Sequence, residues 1–139
     1  MNPVFAQCGT SIFEEMSRLA ARHQAVNLGQ GFPVGMEPPD LVAAAARAVA
    51  EGPHQYPPMM GLPELRAAIA QSSRRFWGLD VDPEHEVLVT SGATEALADC
   101  FLALLSPGDE VVVMQPAYDS YGVMIRRAGG VVVPVRLDP

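Results

Sequence analysis

From residue 86 to residue 137 the chain alternates short β-branched runs with segments of helical period, and no other feature restricts the fold as much. Residues 86–90 (Glu-Val-Leu-Val-Thr) read as a strand and 94–105 as a helix that stops at Pro107-Gly108. Residues 110–115 form a continuous apolar run bounded by turn residues, the pattern of a strand buried on both faces. Residues 118–128 read as a helix ended by Gly129-Gly130, and 131–137 as a strand that Pro134 tends to place at a sheet edge. Strands separated by helices of this length join as βαβ units with parallel strands. The expected fold class is α/β.

The N-terminal part carries helices. Residues 1–10 read as an irregular arm. Ser11 is placed to cap a helix reaching about His23, with Glu14 completing a capping box and Ile12, Phe13, Met16, Leu19 and Ala20 at helical spacing. Val26-Asn27-Leu28-Gly29 is a short extended piece, and Gln30-Gly31-Phe32-Pro33 a turn. Pro38-Pro39 begins a second helix, Asp40 to Glu51, closed by Gly52-Pro53. Four turn-forming residues, Pro53, Pro57, Pro58 and Gly61, make the next stretch a loop, and a third helix runs from Pro63 to Trp77 before Gly78.

Composition excludes several classes. A net charge of −7 leaves no cation excess to replace phosphate counterions, so nucleic acid is not an expected partner. The basic doublets Arg74-Arg75 and Arg126-Arg127 fall at helix ends, where solvation is the expected state. No apolar run reaches about 18 residues and no secretory pattern opens the chain, which points to a cytoplasmic protein with no membrane partner. Cys8 and Cys100 have no metal or redox spacing; Cys100, in an apolar helix, reads as a small core residue. His23, His54 and His85 show no ligand spacing, so no metal site is expected.

Three segments suggest chemistry. Ser91-Gly92-Ala93-Thr94-Glu95-Ala96 joins a strand to a helix through small residues, so an anion can approach the backbone N–H groups at the helix start. An ordinary βα turn with Thr94 as helix cap fits the same residues. Neither the dinucleotide glycine fingerprint nor a P-loop applies, since the latter needs a lysine and all nine basic residues are arginine. Gln115-Pro116-Ala117-Tyr118-Asp119-Ser120-Tyr121 lies past the next strand, at the same sheet end, and offers an aromatic face for a flat ligand or for packing on a neighbour. The proline-stiffened segment 55–66 offers the hydroxyl of Tyr56, while Arg66 reads as structural.

Taken in order, Asn27-Leu28-Gly29-Gln30-Gly31-Phe32-Pro33, the 55–66 segment, Thr90–Leu97 and Pro116–Tyr121 resemble consecutive motifs of the class I/II aminotransferases. These are fold-type-I enzymes dependent on pyridoxal 5′-phosphate, and the branch with methionine, kynurenine and glutamine transaminases is the most similar. The resemblance spans essentially the whole chain. It implies the N-terminal part of a three-layer α/β/α transferase fold with a mostly parallel sheet, incomplete here. Residues 1–39 would form an arm and small-domain segment, and 40–139 part of the large cofactor domain. Gly92, Ala93 and Thr94 match the turn that binds the cofactor phosphate, and Tyr118 the ring that stacks on the pyridine. Tyr56 matches the tyrosine that reaches the partner subunit's cofactor in a homodimer, and Gly31 the loop glycine near the substrate carboxylate.

The resemblance also implies what is missing. The family's Schiff-base lysine, its pyridine-nitrogen aspartate and its carboxylate-binding arginine lie beyond the matched segment, so no catalytic residue is assigned and this chain alone is expected to be inactive. The reading is an N-terminal fragment of an enzyme that exchanges amino groups between amino acids and 2-oxo acids. The alternative is a stand-alone module that binds the cofactor without catalysis. For the fragment, strand 86–90 is expected to lack neighbours, and the chain to be marginally stable or self-associated.

Overall fold

The computed structural model describes residues 2–31 and 35–138. In chain order the elements are α1 (Pro3–Ala6), α2 (Ile12–His23), α3 (Pro39–Glu51), α4 (Pro63–Trp77), α5 (Gly92–Leu104), β1 (Glu110–Gln115), α6 (Asp119–Arg127) and β2 (Val131–Arg136). They fall into two compact units, one built from Met1–Gly31 with Ser91–Pro139, the other from Phe32–Thr90.

The first unit carries the sheet. β1 and β2 pair in parallel, with Glu110 opposite Val131 and Gln115 opposite Arg136, and α6 is their crossover. Pro134 stands opposite Val113 on β2, whose only strand neighbour among the described residues is β1. Ile125 of α6 is wholly buried. A Cβ on Gly130 would come within 3.0 Å of both Ile125 and Leu105, so the bare glycine lets the chain close tightly as it turns into β2. Leu97 and Phe101 of α5, Tyr121 and Ile125 of α6, and residues 111–114 of β1 line a common hollow of about 320 Å³.

Strand β1 departs from its expected burial. Val111 and Val113 are partly covered, whereas Val112 and Met114 remain 65% and 64% exposed. A continuous apolar run suits a strand with layers on both faces, and among the described residues Val112 and Met114 are left largely open. Two positions apart, they alternate to the same face of the strand.

At the N-terminus, residues 3–6 form one helical turn where an irregular arm was expected, because Asn2 accepts the Val4 N–H at 3.0 Å and Pro3 suits a first helical position. Ser11 caps α2 as expected, accepting the Phe13 N–H at 3.2 Å. Glu14 instead reaches along the helix to Arg18, 3.0 Å away, so the reciprocal half of the capping box is replaced by an i,i+4 ion pair.

The second unit contains α3, α4 and the segment leading to Ser91. Helix α4 ends at Gly78 with φ 67, and Arg74 and Arg75 lie in its last turn. Residues 86–90, expected as a strand, join no ladder among the described residues. They form an extended segment in which Val89 donates to the Met60 carbonyl at 3.1 Å and Val87 is buried. Gly61 has φ 100, and a Cβ there would sit 2.4 Å from Val89 Cγ2. Arg66 of α4 donates to the carbonyls of Pro83 at 2.9 Å and Glu84 at 3.3 Å, tying the preceding turn to the helix. The structural reading of Arg66 therefore holds.

Candidate functional site

Helix α5 begins two residues earlier than its sequence pattern suggests, at Gly92. Gly92 has φ 84, a left-handed conformation that L side chains resist, and a Cβ built there would meet nothing within 4 Å. The glycine is thus required by backbone conformation, with open space before it. Thr94 lies inside the first turn and is not the cap; Ser91 holds that position without a side-chain cap hydrogen bond. The amides of Ala93 and Thr94 belong to the turn whose N–H groups have no carbonyl partner within a helix. All of Ser91, Gly92, Ala93 and Thr94 are exposed. The carboxylate of Glu95 accepts the Ser91 N–H, so one negative charge already lies at this positive helix end.

Connectivity sets the direction of α5. Five residues, 105–109, separate its last residue from the first of β1, and its side chains face β1 across the shared hollow. A 13-residue helix and a six-residue strand are each about 20 Å long. The helix therefore runs antiparallel to β1, and its N-terminus comes to the C-terminal end of the strand, the end at which open α/β sheets bind ligands.

Tyr118 lies at that same end, three residues past β1, as the N-cap residue of α6 with φ −64 and ψ 138. The Gln115-Pro116 peptide before it is cis. Pro116 and Gln115 border a hollow of about 550 Å³ with Arg136, Leu137 and Asp138 past the end of β2. Tyr118 is 49% exposed. Its ring stacks on Phe13 of α2, with centroids 5.6 Å apart and planes at 28°, and Tyr121 approaches at 5.9 Å with a 54° tilt. The link between positions 13 and 118 carries no periodic or motif signal and was not legible in the sequence.

The remaining candidates are described unit by unit. Gly31 closes the first segment of the first unit, exposed, with nothing within 4 Å of a would-be Cβ. Its neighbours Phe32 and Pro33 in the expected turn lie outside the described residues. Tyr56 belongs to the second unit, has φ 52, and is 94% exposed. A tyrosine at positive φ is uncommon and costs backbone energy, so its presentation to solvent is maintained against a local preference. Cys100 is exposed where a core position was expected. Among the described residues no group of three or more His, Cys, Asp or Glu side chains converges as a metal site, and no helix is long and apolar enough to cross a membrane.

A parallel βαβ unit, entered through a glycine-started helix and bearing an aromatic residue past the carboxyl end of its first strand, defines an α/β protein. The profile of the family described as aminotransferase class I and II matches residues 23–139. The chain belongs to that family. It is 53% identical over 130 residues to the protein named probable N-succinyldiaminopimelate aminotransferase DapC in Mycobacterium tuberculosis, covering 94% of this chain and 33% of that protein. It is 47% identical over 133 residues to the methionine aminotransferase of Escherichia coli K12, covering 96% of this chain and 34% of the relative. Among solved structures, N-succinyldiaminopimelate aminotransferase from Mycobacterium tuberculosis superposes with a TM-score of 0.93 at 50% identity, over 100% of this chain and 36% of that one. The chain thus spans about a third of the length of the relatives it matches.

Proposed function

We propose that this sequence is the N-terminal part of a cytoplasmic, homodimeric aminotransferase that moves an α-amino group between an amino acid and a 2-oxo acid with pyridoxal 5′-phosphate. The reading is supported by a glycine-started helix N-terminus at α5 and by a half-exposed tyrosine just past the carboxyl end of β1, in a chain of this family. These residues fit a phosphorylated flat ring. A dianion suits the first-turn amides of Ala93 and Thr94, with Gly92 leaving room for it, and a planar ring suits the face of Tyr118. When bound, pyridoxal phosphate supplies an electron sink for charge developing at the substrate's α-carbon.

In this reading Ala93 and Thr94 hold the phosphate and Tyr118 fixes the ring's tilt and sheds water from one side. Tyr56, raised on its strained loop, serves the partner protomer's phosphate, and the Gly31 backbone borders the substrate carboxylate. Residues 1–39 belong to the small domain and 40–139 to the large one. The covalent anchor and the proton carrier have to come from outside these 139 residues, which contain no lysine. The second reading is a non-catalytic module that holds the cofactor by these contacts alone.

Titration of the chain with pyridoxal phosphate, followed by cofactor fluorescence, tests the site. Saturable binding is expected, weakened about three- to thirtyfold by Tyr118→Ala. Borohydride treatment should leave no pyridoxyl-lysine. Absence of saturable binding, or indifference to Tyr118→Ala, would overturn the assignment. Aminotransfer by a chain extended through the downstream reading frame separates the enzyme from the module.

A further inference from the structure

We propose that Phe13 is a positioning residue for Tyr118, setting the angle at which that ring meets a planar ligand. The inference rests on the reading of Tyr118 given above. Phe13 stands in the first turn of α2, its N–H held by Ser11 at 3.2 Å, and its side chain is half-buried. Its ring covers part of Tyr118 in a stacked arrangement at 5.6 Å and 28°. On α6, Tyr121 approaches Tyr118 at a 54° tilt and donates its N–H to the Tyr118 carbonyl at 3.2 Å. Two rings from two different helices thus bear on a third that still leaves 49% of its residue surface open.

The physical consequence concerns order before binding. A tyrosine at a helix start, with about half its surface in water, samples several rotamers, and a flat ligand that selects one must offset the lost freedom. A stacked neighbour restricts those rotamers in advance, so the ligand meets a ring already oriented. Phe13 touches no ligand in this scheme and acts only through Tyr118.

The test is a double-mutant cycle read by pyridoxal phosphate fluorescence titration of the 139-residue chain. Phe13→Ala is expected to weaken binding about three- to tenfold, and Phe13→Tyr, which keeps a ring, to restore it. In a Tyr118→Ala background Phe13→Ala should have no further effect. An equal loss in both backgrounds, or tighter binding by Phe13→Ala, overturns the proposal; the latter would mean that Phe13 occupies the ligand's face. A readout that needs no folded variant is the set of ring-to-ring nuclear Overhauser contacts between Phe13 and Tyr118 in the unmutated chain. These are expected with and without pyridoxal phosphate, and their loss on binding overturns the buttress. Failure of the unmutated chain to bind removes the cofactor reading itself, a result distinct from normal binding that ignores Phe13.

Discussion

His85 and Asp82 form a small titrating pair that the sequence offered only as a histidine without metal-ligand spacing. Nδ1 of His85 lies 2.7 Å from Asp82, and the hydrogen bond between them, followed by their Coulomb attraction, raises the His85 pKa above the ordinary 6.5. The same hydrogen bond, followed by the one from the Glu84 N–H, lowers Asp82 below 3.8. A raised histidine contributes its full stability below 6.5 and loses it as pH rises through the shifted value. A depressed aspartate contributes above 3.8 and loses it as pH falls through its own. The pair therefore supports the 82–86 turn most between those two limits. Proton NMR titration of His85 is the measurement, and Asp82→Asn should bring its pKa back toward 6.5; an unchanged midpoint would show that the pair does not form in solution. Single residues differed in legibility for physical reasons. Gly92 was readable because turn chemistry is local, whereas the exposure of Cys100 depends on which face of α5 the chain covers.

The segment 86–90 shows how an element depends on what lies beside it. Its residues have strand composition, but a ladder needs a strand partner, and among the described residues the segment joins none; Glu86 donates instead to Asp82, and Val89 to Met60 of the 58–61 turn. Gly61 makes that approach possible. Gly61→Ala would force an L side chain into φ 100 and drive a Cβ to within 2.4 Å of Val89, so destabilisation of about 1–3 kcal/mol is expected. Urea unfolding followed by circular dichroism checks it, and Val89→Ala should recover part of the loss by removing the struck methyl groups. A midpoint equal to the unmutated protein's would mean that the turn and the segment separate in solution. The helices α2, α3 and α4, and the pairing of β1 with β2, were legible because caps, prolines and βα alternation act over a few residues. The bare outer face of β1 was not, since an apolar run records that a face is meant to be covered and is silent about which chain segment covers it.

That uncovered face sets the behaviour of the chain in water. Val112 and Met114 stand exposed on a two-stranded sheet, and Leu41, Val42 and Val49 of α3 are exposed in the other unit. Each such side chain contributes about 1.5–3 kcal/mol when buried, and two strands alone are marginal in water. Among the described residues each strand has one edge without a strand neighbour, and such an edge templates contact with further copies. The chain in isolation is therefore expected to self-associate, with a sedimentation mass above 14.8 kDa that grows with concentration, and to bind hydrophobic dye. Replacing Val112 and Met114 together by threonine keeps strand propensity while lowering apolar exposure, and should shift the distribution toward the monomer. A sharp amide spectrum and cooperative melt from a monomer at all concentrations would contradict this, and would mean that the two-stranded unit stands without a covering layer. The outcome also bears on the cofactor site, because the exposed Val112 and Met114 border the same hollow as Leu97 and Phe101 of α5 and Tyr121 of α6. If added residues cover Val112 and Met114, pyridoxal phosphate binding should strengthen and self-association fall together, in one titration series.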